Sequence, residues 1–153
     1  MNVLEIYEKL KHLPLGNKIF SFAVCKKAPY FSTISPNLEL LEEGRVIFSM
    51  KNKKSVQNHL GSIHAIAMCN LAEMCAGVCM ETIIGKKLRW IPKGMSVRYL
   101  ERAEGKIKGD VIYPTSSLIE GSNFLVVKVT DAKDQLVFDA EIEMYVSKKK
   151  PAK

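Results

Sequence analysis

The chain has 153 residues, of which 47% are hydrophobic and 25% are charged. This is the balance of an ordinary globular protein and excludes intrinsic disorder. Lysine and arginine together number 23 against 16 acidic residues, giving a formal net charge of +7. A basic balance favours an anionic partner, which is a nucleic acid, an anionic membrane or a phosphate-bearing small molecule. The charge alone does not choose among them.

The length predicts one domain over residues 1–153. Apolar residues at amphipathic spacing predict an N-terminal helix over residues 2–12, within a segment 1–16 that Pro14 and Gly16 end. Two strand-like runs, 37–41 and 45–50, flank a turn at Gly44 and predict a hairpin.

A long helix is predicted to begin near residues 62–65 and to end before Gly85. Four strand-like runs follow it, over 95–102, 106–113, 124–130 and 136–146, and the lysine-rich residues 148–153 predict a frayed tail. The long helix is apolar nearly all round, so it cannot face water. A curved antiparallel sheet wrapped around it is the economical arrangement, which is an α+β architecture.

The segment from His64 to Ile84 has the length of a membrane span but carries Asn70, Glu73 and Glu81. Each carboxylate near a bilayer centre would cost about 2.5–3.5 kcal/mol, so we expect a helix buried in protein and no membrane partner.

The four cysteines are Cys25, Cys69, Cys75 and Cys79. Three of them lie in one short apolar stretch and no secretory signal precedes them, which favours reduced thiols in a cytoplasmic protein. Cys75 and Cys79 share one helix face, whereas His59 and His64 lie at the other end of the helix. No metal site is therefore expected.

Glu73 is an acid in an apolar helix, so its carboxylate must be paired, hydrogen-bonded, protonated or used in chemistry. From the residues alone, a structural ion pair or a dimer contact is the better explanation of Glu73. Gly77, one turn further on, carries no side chain and is predicted to leave room for a ligand beside the carboxylate.

The start of the same helix is a second candidate site. Gly61 suits a tight turn and Ser62 is the predicted cap, which would leave the backbone N–H groups of His64 and Ala65 free. Such a helix end binds an anion or polarises a carbonyl oxygen. Asn58 either holds a water or a carbonyl group from the side, or is an ordinary turn residue.

Asn58 lies six residues before His64, and Glu73 lies nine residues after it. This spacing resembles the active site of the hotdog-fold acyl-CoA thioesterases, in particular the PaaI-like branch and related uncharacterised hotdog proteins. The resemblance covers most of the chain, and residues 96–103 look like the strand that follows the helix in those enzymes. It implies a hotdog fold with about six strands around a central helix.

The resemblance implies hydrolysis of a coenzyme A or carrier-protein thioester at the interface of a dimer or a dimer of dimers, without a cofactor. Glu73 would be the general base or nucleophile, the Ala65 N–H would polarise the carbonyl, and Asn58 would position water or substrate. His64 is also placed in the catalytic site, where its ring either fixes the turn by hydrogen bonding or carries a proton. The expected substrate contacts are Gly61, Asn70, Gly77, Arg98 and Arg102.

Two positions depart from the family pattern. Ala65 stands where a glycine is common, and Gly77 stands where some members have a hydroxyl residue. These departures keep open a non-catalytic acyl-thioester-binding protein, and a hotdog hydratase or dehydratase is a further class. A nucleic-acid binder is the weakest interpretation, because aromatic residues are not interleaved with the basic ones.

Overall fold

The computed structural model describes residues 3–150, so the last three residues of the predicted tail lie outside the described part. The helices are α1 (Val3–Leu10), α2 (Gly16–Lys27), a 3₁₀ helix (Pro29–Ile34) and α3 (Ala65–Ile83). The strands are β1 (Asn37–Glu42), β2 (Arg45–Lys51), β3 (Leu88–Tyr99), β4 (Lys106–Ile112), β5 (Gly121–Thr130) and β6 (Leu136–Lys148).

The six strands form one antiparallel sheet in the order β1-β2-β4-β5-β6-β3. Along β5 the even positions from Phe124 to Lys128 are exposed and the odd positions from Asn123 to Val129 are buried, which is the alternation of a sheet with one face on a core. The predicted α+β architecture, with six strands around a long helix, is confirmed.

Helix α3 is the centre of the core and packs against β2, β4, β5 and β6. Leu71, Met74 and Cys75 are fully buried along it. Gly109 of β4 allows the sheet to approach closely, because a Cβ atom there would lie 3.0 Å from the Cys75 sulfur. Among residues 3–150, one helix, α3, is long and apolar enough to cross a membrane, and 72% of its apolar window is buried inside the protein. That burial is typical of a core helix, as predicted.

Two elements differ from the sequence-based expectations. Helix α2 covers residues that carried no clear helical pattern, although Phe20 within it is 2% exposed. Strand β3 begins at Leu88 rather than near residue 95, because the strand continues through an irregularity between Pro92 and Gly94. β3 pairs only with β6, and an edge strand tolerates a proline that a central strand would not.

Candidate active site

The loop before α3 is held by the side chain of Asn58. Its Nδ2 donates to Ser62 Oγ at 2.8 Å, and its Oδ1 accepts the Leu60 N–H at 2.9 Å. Gly61 has a φ of +78°, the left-handed region that favours glycine. These bonds support the interpretation of Asn58 as a turn residue, with one Nδ2 hydrogen still free to contact a ligand.

His64, not Ser62, caps the N-terminus of α3. The Nδ1 atom of His64 accepts the Ile66 N–H at 3.1 Å, whereas Ser62 is buried in the loop. The prediction of Ser62 as the cap is therefore wrong, and the reason is that Asn58 already holds its hydroxyl. Because Nδ1 accepts a hydrogen bond, the neutral His64 ring carries its proton on Nε2. The His64 backbone N–H is not free either, since it donates to Val56 O at 2.8 Å.

Ala65 is the first residue of α3, and its N–H has no acceptor among residues 3–150. The residue is half-buried, so the donor lies at the surface of the core rather than in bulk water. The positive end of a 19-residue helix dipole coincides with this N–H. The group is therefore available to a carbonyl oxygen or an anion.

Glu73 lies on the same helix and is also half-buried. Within the described part of the chain, neither a hydrogen bond nor an ion pair reaches its carboxylate. Ala65 and Glu73 are eight residues apart, which corresponds to about 12 Å along a helix axis. The two residues therefore lie about two helical turns apart on α3.

The space beside Gly77 is occupied. A Cβ atom on Gly77 would lie 3.0 Å from the ring of Trp90, and Trp90 Nε1 donates to Glu81 Oε1 at 2.9 Å. The room that Gly77 was predicted to leave for a ligand is taken by this indole of the same chain. Sequence reasoning missed Trp90, which lies in the part of β3 that was not predicted as a strand.

Arg98 and Arg102 both have partners within the chain. Arg98 contacts Asp139 through Nε at 2.9 Å and Nη2 at 2.5 Å, and this carboxylate raises the pKa of the guanidinium. Arg102 donates to Leu60 O at 2.5 Å and forms an ion pair with Glu104 at 2.9 Å. Arg102 therefore links the segment between β3 and β4 to the loop before α3.

Asn70 is 5% exposed and forms part of the wall of a cavity of about 220 Å³. His64 and Ala67 line the same cavity, so it adjoins the start of α3. Tyr30 and Thr33 of the 3₁₀ helix also line it. Sequence reasoning missed these two residues, because nothing in their local pattern shows that the 3₁₀ helix packs on α3.

Two thiols of α3, those of Cys75 and Cys79, do not supply a nucleophile at neutral pH. Burial raises the pKa of Cys75 and of Cys79 to about 12. Cys69 contacts the hydroxyl of Tyr99 at 3.3 Å, and this contact raises the pKa of the tyrosine to about 12. Glu73 is left as the unpartnered reactive side chain of this helix.

The family model "Domain of unknown function (DUF4442)" matches residues 16–146. The chain belongs to the DUF4442 family. The structural-genomics protein APC5556 is 33% identical to this DUF4442 chain, with a TM-score of 0.84 and coverage of 96% of this chain and 98% of the other. No curated protein matches the sequence.

Two further solved structures share the fold of the DUF4442 chain. PA5026 from Pseudomonas aeruginosa, described as a protein of unknown function and probable thioesterase, is 21% identical with a TM-score of 0.78, over 90% of this chain and 97% of that one. The PaaI protein from the phenylacetic acid degradation operon of E. coli is 9% identical with a TM-score of 0.70, over 82% and 88%. The predicted hotdog fold is confirmed.

Proposed function

We propose that this DUF4442 protein is a thioesterase that hydrolyses an acyl-CoA or acyl-carrier thioester between two copies of the chain. One observation carries the proposal: the apolar helix α3 presents a free N–H at Ala65 and a half-buried carboxylate at Glu73 that has no partner among residues 3–150. The description of PA5026 as a probable thioesterase supports the same reaction class.

The chemistry assigns a separate task to each group. The Ala65 N–H donates to the thioester oxygen, whose negative charge grows as the carbonyl carbon becomes tetrahedral. Glu73 either takes a proton from the water that attacks this carbon or attacks it directly to form an anhydride, which water then opens. In both routes the C–S bond breaks. The leaving sulfur takes its proton from the protonated Glu73 when the glutamate has acted as general base, and from solvent when the glutamate is bound in the anhydride.

The spacing on α3 supports the placement of this reaction between two chains. The rise of about 12 Å between Ala65 and Glu73 keeps the two groups of one helix apart. A twofold axis that placed two α3 helices side by side would bring Glu73 of one protomer to Ala65 of its partner. The free edge of β3 offers unpaired backbone groups through which two sheets can join.

The remaining predicted contacts take supporting roles in this proposal. Asn58 holds the loop and offers its second amide hydrogen to water or substrate, and His64 positions the first turn of α3. The guanidinium groups of Arg98 and Arg102 are exposed and reach the phosphates of coenzyme A if they exchange their present partners.

A non-catalytic acyl-thioester-binding protein is the second candidate. The Trp90 ring against Gly77 favours it, because it fills the place where some hotdog enzymes have a hydroxyl residue after the acid. The two candidates differ in whether the thiol is released.

Free-thiol release across a panel of short, long, branched and aromatic acyl-CoAs tests the proposal, with Glu73→Gln as the decisive variant. We expect turnover of at least one acyl-CoA and a loss of at least about 100-fold in kcat for Glu73→Gln. Glu81→Gln is the matched control, since Glu81 lies on the same helix but accepts from Trp90. Full activity of Glu73→Gln would contradict the assigned role, and binding without hydrolysis would select the second candidate.

A further inference from the structure

Helix α2 carries large apolar side chains on its exposed face. Leu15, which immediately precedes the helix, is 65% exposed, Ile19 is 43% exposed and Phe22 is 70% exposed. Spacings of four and three residues place these three side chains, the α2 stripe, on one face of a helix. Phe20 lies on the buried face instead. Apolar side chains that cluster on an exposed face indicate a contact with another surface.

Lysines border the α2 stripe on both sides. Lys26 continues the stripe four residues after Phe22. Lys18 lies one residue before Ile19, and Lys27 lies one residue after Lys26. Because successive residues of a helix turn by about 100°, Lys18 and Lys27 lie on opposite flanks of the stripe. All three lysines are exposed and have no ion-pair partner among residues 3–150.

The sequence around the α2 stripe contains no acidic residue. Residues 9–38 include five lysines and neither aspartate nor glutamate. Five positive charges without a negative one supply most of the formal net charge of +7. The surface around α2 therefore attracts anions.

A groove of about 470 Å³ beside α2 is also rich in lysine. Its lining includes Lys18, Lys51, Lys53 and Lys106, together with Glu39. Lys106 pairs with Glu39 at 2.8 Å, whereas Lys18 and Lys51 have no ion-pair partner among residues 3–150. Lys18 lines a neighbouring cleft together with Phe22, so the groove adjoins the stripe. An anion in the groove would lie beside apolar side chains.

The charges distinguish the surfaces that could cover the α2 stripe. A second copy packed on the same face would bring lysines against lysines, which repel. A different protein suits the face less well, because protein interfaces are enriched in arginine and depleted of lysine, and α2 contains only lysine. An anionic bilayer meets both features, since it takes apolar side chains below its headgroups and lysine ammonium groups at its phosphates.

We infer that the α2 stripe and its lysines dock this protein onto the surface of an anionic phospholipid bilayer. Phe22 enters the acyl-chain region, and the lysine-lined groove meets the headgroup phosphates. The helix lies in the plane of the interface and does not cross the bilayer. The expectation of no membrane partner rests on the acidic residues of α3, and α2 carries none. The inference is independent of the proposed function, because docking needs no thioester.

Co-sedimentation of the full chain with lipid vesicles tests the inference. Vesicles of phosphatidylcholine alone are compared with vesicles of equal parts phosphatidylcholine and phosphatidylglycerol. We expect binding to the anionic vesicles, weakening as the salt concentration is raised, and much weaker binding to the neutral vesicles. No binding to the anionic vesicles, or equal binding to both kinds, would overturn the inference.

Matched phenylalanine variants locate the docking face. Phe22→Ser should weaken binding to the anionic vesicles by at least about tenfold, because a large apolar side chain no longer enters the bilayer. Phe124→Ser makes the same change at an exposed phenylalanine of β5 and should leave binding unchanged. Equal effects of the two substitutions would contradict docking through α2.

Matched lysine variants separate a local contact from the effect of net charge. The double variant Lys26→Gln, Lys27→Gln should weaken binding by about 25-fold, or about fivefold for each lysine. Lys86→Gln, Lys87→Gln removes the same charge from an exposed pair that lines neither the groove nor the cleft beside the stripe, so its effect should be smaller. Equal losses would show attraction by net charge alone and would overturn the inference.

Two further measurements distinguish docking on lipid from the other occupants of this face. In sedimentation velocity without vesicles, Phe22→Ser should behave as the unaltered protein does; dissociation of an oligomer would show that the stripe joins copies of the chain. Phe22→Trp reports insertion, because Trp90 is the one tryptophan of the unaltered protein. Anionic vesicles should shift the emission of this variant to shorter wavelength more than that of the unaltered protein, and an equal shift would contradict insertion of the stripe.

Discussion

The two halves of α3 share one helix but differ in how their polar groups are satisfied. In the second half, residues 74–83, Glu81 accepts from Trp90, and Thr82 binds both Cys79 O and the Gly44 N–H. In the first half, residues 65–73, the Ala65 N–H, Asn70 Oδ1 and the Glu73 carboxylate have no partners among residues 3–150.

This contrast gives the second half of α3 a structural role and places the proposed site in the first half. A buried acceptor without a partner, such as Asn70 Oδ1, lowers stability by about 1–3 kcal/mol, and the second half shows that this chain can satisfy such groups. In the proposed function, a substrate and a second chain supply the partners of these three groups.

The largest effect is expected from removing the Ala65 N–H alone. Proline is favoured at the first position of a helix, and the ψ of 140° at His64 suits a residue that precedes proline. Ala65→Pro should therefore keep the fold and lower kcat by about 100- to 1,000-fold, the effect of losing one oxyanion donor. Steady-state acyl-CoA hydrolysis measures it.

Ala65→Gly is the control for this variant, because glycine retains the N–H. It should keep most of the activity. Undiminished turnover by a folded Ala65→Pro protein would show that the first half of α3 does not bind the carbonyl.

The buried thiols of the second half should make the protein less stable in alkali. Burial raises the pKa of Cys75 and of Cys79 from 9.0 to about 12, so the folded state holds protons that the unfolded state releases. Their stabilisation is complete below pH 9 and is lost as the pH rises towards 12, at about 1.4 kcal/mol per pH unit for each thiol.

Urea unfolding from pH 8 to pH 11 measures this loss. The double variant Cys75→Ala, Cys79→Ala should show a shallower decline than the unaltered protein, since other titrating groups are common to both. Parallel declines would show that these thiols are not desolvated.

A smaller change is expected from filling the contact between Gly77 and Trp90. A Cβ atom at Gly77 meets the indole at 3.0 Å, so Gly77→Val overpacks the second half and should lower the free energy of unfolding by about 1–3 kcal/mol. Chemical denaturation provides the measurement. At Gly85, which is exposed and has no atom within 4 Å of a Cβ position, the same substitution should have a weaker effect.

Much of the fold could be predicted from the spacing of hydrophobic residues along the sequence. The predicted helix near residues 62–65 to 84 corresponds to α3 at Ala65–Ile83, and the hairpin around Gly44 corresponds to β1 and β2. Helix α2 was missed because only part of it is buried, which leaves its apolar stripe weak. The start of β3 was missed because Pro92 and Gly94 are typical of loops, and only the position of the strand at the sheet edge explains them.

Only the part of the candidate site that lies on α3 could be predicted from the sequence. The spacing of Ala65 and Glu73 places both on α3, but the orientation of Asn70 depends on Thr33, 37 positions away in the chain. The filling of the space at Gly77 by Trp90 likewise depends on tertiary packing. Local pattern contains no signal for either contact.

Mixed assemblies of two inactive variants provide the most direct test of a site shared between chains. Glu73→Gln and Ala65→Pro chains would be co-expressed with different tags, and the acyl-CoA hydrolysis of the mixture compared with that of each variant alone. A hybrid dimer has one site with both an intact Glu73 and an intact Ala65 N–H, so a statistical mixture should regain about a quarter of the unaltered activity. A mixture no more active than its two components would contradict the shared site.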